Sequence, residues 1–202
     1  MNITLTNTGK RFNREWIFRH VDFEFTAPKK YAITGPNGSG KSTLLQVIAG
    51  AIVHNEGVVE FKNGELIPSE NHHQYIAVAA PYLELIEEMT AVEFLFFHTQ
   101  FKPLSIAIAE ALQIVGLEKA ANKEIRYYSS GMKQRLKLAQ AFFSNTPVLL
   151  LDEPTTNLDE DGIKLYHQLI NNYSANRLVI ISSNDKHEYD FCETVINISN
   201  YK

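Results

Sequence analysis

Residues 35–42, Gly35-Pro36-Asn37-Gly38-Ser39-Gly40-Lys41-Ser42, fit the pattern G-x-x-x-x-G-K-[ST] at every fixed position. Phosphates are held by backbone N–H groups converging on one point, and glycines let the chain approach closely enough to supply them. The helix expected next adds free N–H groups and a partial positive charge at its N-terminus. Lys41 is then expected to reach the β- and γ-phosphates, and the Ser42 hydroxyl to take a Mg2+ position. Gly35, Pro36, Asn37, Gly38, Ser39, Gly40, Lys41, Ser42 and Thr43 form the candidate phosphate-binding set. A glycine turn capping an ordinary helix is the plain alternative. The loop follows a strand-like segment and opens a helix-like one, which is the context the motif demands. Alone, it says nucleoside triphosphate without naming the enzyme.

A second chemical pair stands at Asp152-Glu153, after the apolar run Val148-Leu149-Leu150-Leu151. Ligands of open α/β sheets bind beyond the carboxyl ends of the strands. Asp152 can hold Mg2+ there, because hard cations prefer carboxylate oxygens and water. Glu153 can polarise a water for in-line attack on the γ-phosphate. Asp-Glu-Pro is also a common solvated way to leave a strand, but the phosphate loop in the same chain favours the functional reading.

The elements that must position these residues are legible in outline. Residues 3–7, 21–26 and 31–34 have strand character, and 21–25 alternate apolar and polar as a half-buried antiparallel strand does. Residues 41–49 read as a helix stopped by Gly50. Strands are expected at 58–62 and 74–79. Thr90 and Glu93 have capping-box spacing, and the helix they open must end before Pro103. Another helix is expected from Ser105, with Ile108, Leu112 and Val115 on one stripe. A third is expected from Ser129 or Ser130, with Met132, Leu136, Ala139 and Phe143 at helical spacing. Residues 148–151 and 178–181 read as buried parallel strands. Asp159 is placed to cap a helix with Ile163, Tyr166, Leu169 and Ile170 inward, and 195–198 could form an edge strand. The expected fold is α/β, a P-loop architecture with a mostly parallel core sheet, an antiparallel β lobe and a helical lobe inserted at about 82–145, all one domain over 1–202.

Composition narrows the classes. The chain has 202 residues, 45% hydrophobic and 21% charged, with a formal net charge of -4. Such values exclude disordered and low-complexity readings. The acidity gives no electrostatic reason to expect a nucleic-acid partner. The single cysteine, Cys192, excludes an internal disulfide framework and fits a reducing compartment. No stretch approaches the roughly 20 apolar residues of a membrane-spanning helix, so any membrane role is expected to be peripheral. His72 and His73 read as a polar turn without further ligands nearby, Cys192 as a half-buried structural thiol, and Lys10-Arg11 and Lys29-Lys30 as solvated turns.

Tyr128-Ser129-Ser130-Gly131-Met132 lies at a helix start, with Gly131 21 positions before Asp152. It resembles the signature motif of ATP-binding cassette (ABC) ATPases, usually Leu-Ser-Gly-Gly-Gln. The order of phosphate loop, helical insertion, signature and Asp-Glu-Pro is similar to that family's, and Thr155-Thr156-Asn157-Leu158-Asp159 resembles its D-loop. Phe12 resembles the aromatic that stacks on adenine, with Trp16 as a rival. The resemblance implies an ATPase subunit of a membrane transporter that closes head to tail as a dimer around two Mg-ATP. Each site would use the loop of one chain and Ser129, Ser130 and Gly131 of the other, with Asp159 in the D-loop. It implies ATP and Mg2+ as cofactors. It implies as partners a second cassette, identical or related, and a separate multi-spanning membrane protein. The implied location is cytoplasmic, on the inner face of the cell membrane.

Two departures bear on catalysis. Pro81 stands where the family usually has a glutamine, and Asn184 where it usually has a histidine. An amide can hydrogen-bond a phosphate oxygen but cannot become cationic near neutral pH. Glu153, Lys41 and Asn184 are the expected catalytic set, with slow turnover. A soluble ABC ATPase of DNA repair or translation would usually bring a coiled coil, metal fingers or a second cassette, which are not found. A slowly hydrolysing, ATP-gated binding module is the remaining alternative. A GTPase or simple kinase leaves residues 128–132 unexplained. The aromatic run at Phe94, Phe96, Phe97 and Phe101 is either the helical lobe's own core or part of a groove for a helix of the membrane protein. The short chain resembles compact export-type cassettes, including the haem-exporter-like group.

Overall fold

The computed structural model describes residues 1–202. In chain order β1 (Asn2–Phe12), β2 (Glu15–Thr26) and β3 (Lys30–Thr34) lead into α1 (Lys41–Ile48). β4 (Glu56–Asn63), β5 (Glu65–Ile67) and β6 (Ile76–Ala79) follow. Then come α2 (Ala91–Thr99), α3 (Ile108–Ile114) and α4 (Ser130–Phe143). β7 (Val148–Asp152), α5 (Glu160–Tyr173), β8 (Leu178–Ser182) and β9 (Thr194–Asn197) complete the chain. Two compact units result, one of residues 1–78, 147–153 and 176–202, the other of 79–146 and 154–175.

The first unit is built on sheets. One is antiparallel, in the order β2-β1-β4-β5. Along β2, Val21 and Phe25 are buried and Phe23 half-buried, while Asp22 and Glu24 are exposed, so the period-two pattern sets which face turns inward. The other sheet has the order β6-β7-β8-β3-β9, and β7, β8, β3 and β9 run parallel. Every residue of β7 and β8 is buried, as expected of unbroken apolar strands covered on both faces. Ile3, Leu5, Phe18, Phe25, Phe61 and Ile33 are buried in one core, each contributing about 1.5–3 kcal/mol.

The second unit is helical. Thr90 Oγ1 accepts from Glu93 N at 3.2 Å, and Thr90 N donates to Glu93 Oε2 at 2.9 Å, so both halves of the capping box form. Ser129 caps α4 and Asp159 caps α5, each accepting from the backbone N–H three residues on, at 3.2 Å from Met132 and 2.8 Å from Gly162. On α4, Leu136, Ala139 and Phe143 are buried and Met132 half-buried.

Several local expectations are corrected. α3 does not start at Ser105, whose N and Oγ both donate to the Phe143 carbonyl, at 2.7 and 3.1 Å. That contact holds Ser105 out of the helix, and Ala107 becomes the N-cap. The strand expected from residue 74 starts at Ile76, and Gln74 belongs to the 3-10 turn Ser69–Tyr75. The turn expected around His72 and His73 is present, with His72 buried in it: its ring stacks on Phe61 at 4.0 Å, and Nε2 lies 3.0 Å from the Ile67 carbonyl. Lys10 is buried in β1, donating to the Val53 carbonyl at 2.7 Å. On α5 the inward face uses Leu165, while Ile163 is half-buried. Cys192 is half-buried, and burial pushes its thiol up to about 12.

Candidate active site

Parallel register brings the ends of three strands level. Asp152 is paired with Ser182, and Ser182 with Ile33. The phosphate loop leaves β3 one residue later, so it begins beside the carboxylates at the crevice where such sheets bind ligands.

The loop turns on itself through Ser39 N, which donates to the Pro36 carbonyl at 3.0 Å. Gly40 then takes φ +104 and becomes the N-cap of α1, whose first bond runs from Leu44 N to the Gly40 carbonyl at 2.8 Å. Only glycine suits this position, since a Cβ would lie 2.4 Å from Ile17 Cγ2. Leu44, Leu45, Val47 and Ile48 anchor α1 in the core. Lys41 is buried, and its Nζ donates to the carbonyls of Gly35 at 2.9 Å and Pro36 at 3.3 Å. Its ammonium thus spans the concave side of the loop.

A cavity of about 220 Å3 is lined by residues 37–43, Ile17 and Glu153. That is smaller than the roughly 300–1,000 Å3 that encloses a whole small molecule, so the cavity suits a polyphosphate rather than a complete nucleotide. Glu153 reaches it from a left-handed conformation, φ +42, with its N–H donating to the Ser182 carbonyl at 2.9 Å. Non-glycine residues in that region are strained and concentrate at functional sites. Asp152 sits one residue earlier and is 2% exposed, with Oδ1 lacking a hydrogen-bond partner. Burial pushes its carboxyl above the usual range, opposed by the neighbouring hydroxyls of Ser182 and Ser42 and by Lys41. Ser39 Oγ is likewise buried without a partner, and Ser182 Oγ lies close to the Asp152 carboxylate without a well-formed hydrogen bond. A buried anionic oxygen near the Ser42 hydroxyl is a donor set that fits a hard divalent cation.

The structure brings residues 37–43 and Glu153 around one cavity, puts Asp152 at the adjoining strand end, and ties Asn184 to the loop. Asn184 Oδ1 accepts from Gly35 N at 3.3 Å, and its Nδ2 donates to Asn37 Oδ1 at 2.9 Å. Phe12 is not among the cavity's lining residues. It is 47% exposed, with the Lys10 ammonium 4.9 Å from its ring centroid. Its rival Trp16 already carries the Arg19 and Arg11 guanidinium groups, at 4.4 and 5.5 Å. Ile17 and Ser182 were not foreseen. Ile17 had no signal beyond β-propensity, whereas Ser182 follows from equal strand lengths once β7 and β8 are taken as neighbours.

In the helical unit Ser129 and Ser130 are exposed at the start of α4, and a Cβ on Gly131 would stand 3.1 Å from the Asn157 carbonyl. Gln134 Nε2 donates to the Pro154 carbonyl at 2.7 Å, and Arg135 donates to Asp159 Oδ1 at 3.1 Å. These contacts fasten residues 154–159 to α4, and no sequence signal announced them. Beyond β6, the carbonyls of Ala80 and Pro81 accept from Lys137 Nζ at 3.3 and 3.0 Å.

A phosphate-binding loop beside a carboxylate pair on a parallel sheet, with an antiparallel sheet and a helical unit, defines a nucleotide-binding cassette. The chain belongs to the ABC transporter family, whose model matches residues 18–156. The ABC transporter ATP-binding protein YybJ of Bacillus subtilis, itself uncharacterized, is 28% identical over 98% of this chain and 92% of its own. The cytochrome c biogenesis ATP-binding export protein CcmA of Mesorhizobium japonicum is 33% identical over 91% of each chain. A dimeric ATP-binding cassette, solved in a post-hydrolysis state with ADP and Pi, matches at a TM-score of 0.81 and 26% identity, covering 97% of this chain and 94% of that one. The protein is an ATP-binding, ATP-hydrolysing subunit of an ABC transporter, and its hydrolysis is coupled to transport. No helix of the chain is long and apolar enough to cross a membrane.

Proposed function

We propose that residues 1–202 act as one cassette, with its helical part inserted at about 82–145, closing head to tail with a second cassette around two Mg-ATP. The observation that carries this reading is the convergence of Lys41, Ser42 and Glu153 on one cavity beside the partnerless Asp152 oxygen. Residues 35–43 wrap the phosphates, and Lys41 exchanges its carbonyl partners for phosphate oxygens. Ser42 and Asp152 would hold Mg2+. When bound, the cation neutralises charge on the phosphates. Glu153 orients and deprotonates the attacking water. Ser129, Ser130 and Gly131 face the nucleotide of the partner cassette, with Asp159 supporting that interface through α5. Phe12 takes the adenine, which the small cavity leaves outside.

Turnover is slow in this proposal, because Pro81 offers no side-chain donor and Asn184 no titratable group. The second cassette is a copy of this chain or a relative, and a multi-spanning membrane protein anchors the pair on the cytoplasmic face. Several relatives are named as export proteins, which favours export.

Comparing ATP turnover of the purified chain with that of Glu153→Gln tests the site. A fall of about 100-fold or more, with ATP binding retained, is expected. Equal turnover would remove Glu153 as the base. Co-purification of a stoichiometric multi-spanning protein from solubilised membranes tests the partner.

A further inference from the structure

Asn184 lies two residues past the end of β8, in a turn fixed on both sides. Ser183 N donates to the Ile33 carbonyl at 3.1 Å, and Asp185 N donates to Ser183 Oγ at 2.9 Å. Asp185 in turn accepts from His187 N at 2.9 Å. The amide between them is held in one place, and both its polar ends are spent on the phosphate loop. Gly35 N can only donate, so the end facing it, at 3.3 Å, is Oδ1. The other end, Nδ2, then faces Asn37 Oδ1 at 2.9 Å. These two contacts bracket Pro36, whose carbonyl, with that of Gly35, receives the Lys41 ammonium. Residues 35–37 are therefore pinned from the β8 side by Asn184 and from the α1 side by Lys41.

We infer that Asn184 is a positioning residue that holds residues 35–37 in their phosphate-receiving shape, acting on nucleotide affinity more than on the rate of the chemical step. The inference rests on the nucleotide reading of the loop proposed above. Its physical basis is preorganisation. A loop already ordered in the free protein does not have to be ordered by the ligand, and affinity rises by that difference. An amide also does not titrate near neutrality, so the latch works equally across that range.

Four proteins test this: the unaltered chain, Asn184→Ala, Asn37→Ala and the double variant. The readouts are Kd for a fluorescent ATP analogue with Mg2+, and kcat for ATP, both from pH 6 to 8. Asn184→Ala should raise Kd by about 3- to 10-fold, the effect of one or two modest hydrogen bonds, and the loss in affinity should exceed any loss in kcat. The two substitutions should be non-additive, with the double variant no weaker than the weaker single. The Kd ratio should not change with pH. A fall in kcat at unchanged Kd would overturn the inference and place Asn184 on the transferring phosphoryl group. Additive losses would overturn it too, because Asn184 would then act independently of Asn37. If Asn184→Ala folds poorly, Asn37→Ala breaks the same contact from the loop side and must show the same split. Lys41→Ala in the same assay guards the underlying reading. If the unaltered chain binds no ATP, or Lys41→Ala binds it equally well, the nucleotide reading itself fails, whatever Asn184 does.

Discussion

Asp152 is 2% exposed and its Oδ1 has no hydrogen-bond partner, so Asp152→Asn should make the nucleotide-free chain more stable while disabling it. A buried polar atom left unsatisfied costs about 1–3 kcal/mol. The isosteric amide is neutral, and its N–H groups can use the hydroxyls of Ser182 and Ser42 that neighbour the carboxylate. Recovering about 1–2 kcal/mol in a chain of this size should raise Tm by about 2–8 °C. Because burial raises the Asp152 pKa in the folded state, the folded chain holds this proton to higher pH than the unfolded chain. The penalty is full above the raised pKa and vanishes as pH falls below the ordinary aspartate value of about 3.9. The advantage of the variant should therefore be largest near neutrality and shrink on acidification. Mg-ATP at about 100 times Kd should stabilise the unaltered chain by about 2.7 kcal/mol. The amide cannot supply the anionic oxygen a hard cation prefers, so the variant's response to ATP should be the same with Mg2+ as with EDTA. Thermal unfolding followed by dye fluorescence from pH 5 to 8, with and without Mg-ATP, reads all three effects. A lower Tm for the free variant, or an advantage that grows on acidification, would refute the reasoning.

Gly40→Ala should abolish ATP-dependent thermal stabilisation and lower the Tm of the free chain, since the left-handed conformation alone costs about 1–2 kcal/mol and Ile17 Cγ2 stands 2.4 Å from the new Cβ. Adding Ile17→Ala should restore only part of the Tm, because it relieves the clash and not the dihedral. Burial, with the Lys102 charge adding to it, lowers His98 to about 4, and the neutral ring sits between Gln140 Nε2 at 3.0 Å and Ser144 Oγ at 2.7 Å. This stabilisation should be complete above the ordinary histidine value of about 6.5 and lost progressively as pH falls towards 4. Urea midpoints from pH 7 to 4.5 should show that added acid sensitivity in the unaltered chain and not in His98→Asn.

The parts of the site legible in the sequence are those where local chemistry fixes the spacing. Residues 35–42 must bring glycines, backbone N–H groups and a lysine together within one short loop, whatever the rest of the chain does. Asp152 and Glu153 could be read because four apolar residues place them at a strand end. The caps at Thr90, Ser129 and Asp159 could be read for the same reason, each being satisfied within three residues. Ser105 has the same credentials as a cap, yet the Phe143 carbonyl takes both its donors. A tertiary acceptor 38 residues away outweighed a local preference worth about 1 kcal/mol. The burial of His72 within its turn was hidden for a similar reason, because its partners, Phe61 and Ile67, belong to strands whose register the sequence does not give.

What stayed hidden is the layer that holds the motifs in shape. Asn184 on the loop, Lys137 on the carbonyls of Ala80 and Pro81, and Arg135 on Asp159 all join segments far apart in the chain. In two of them the residue that departs from the family pattern is itself involved. Asn184 spends both amide ends on the loop, and Pro81, which brings no side-chain donor, has its backbone carbonyl held by a lysine. The loop after β6 and the loop after β8 thus each carry a fixed contact at the position where the family usually has a glutamine or a histidine. The Asn184 contacts hold residues 35–37 before ATP arrives, at the expense of an amide that could otherwise follow the γ-phosphate. If turnover is slow as proposed, affinity kept by preorganisation and turnover limited by missing side chains would be two consequences of one arrangement. On that argument, returning a histidine at Asn184 should loosen residues 35–37 as it restores a titratable group, raising Kd and making kcat depend on pH between about 6 and 7. Steady-state ATPase and analogue binding of Asn184→His would read both changes. A variant that gained turnover with no loss of affinity would separate the two consequences and refute the link between them.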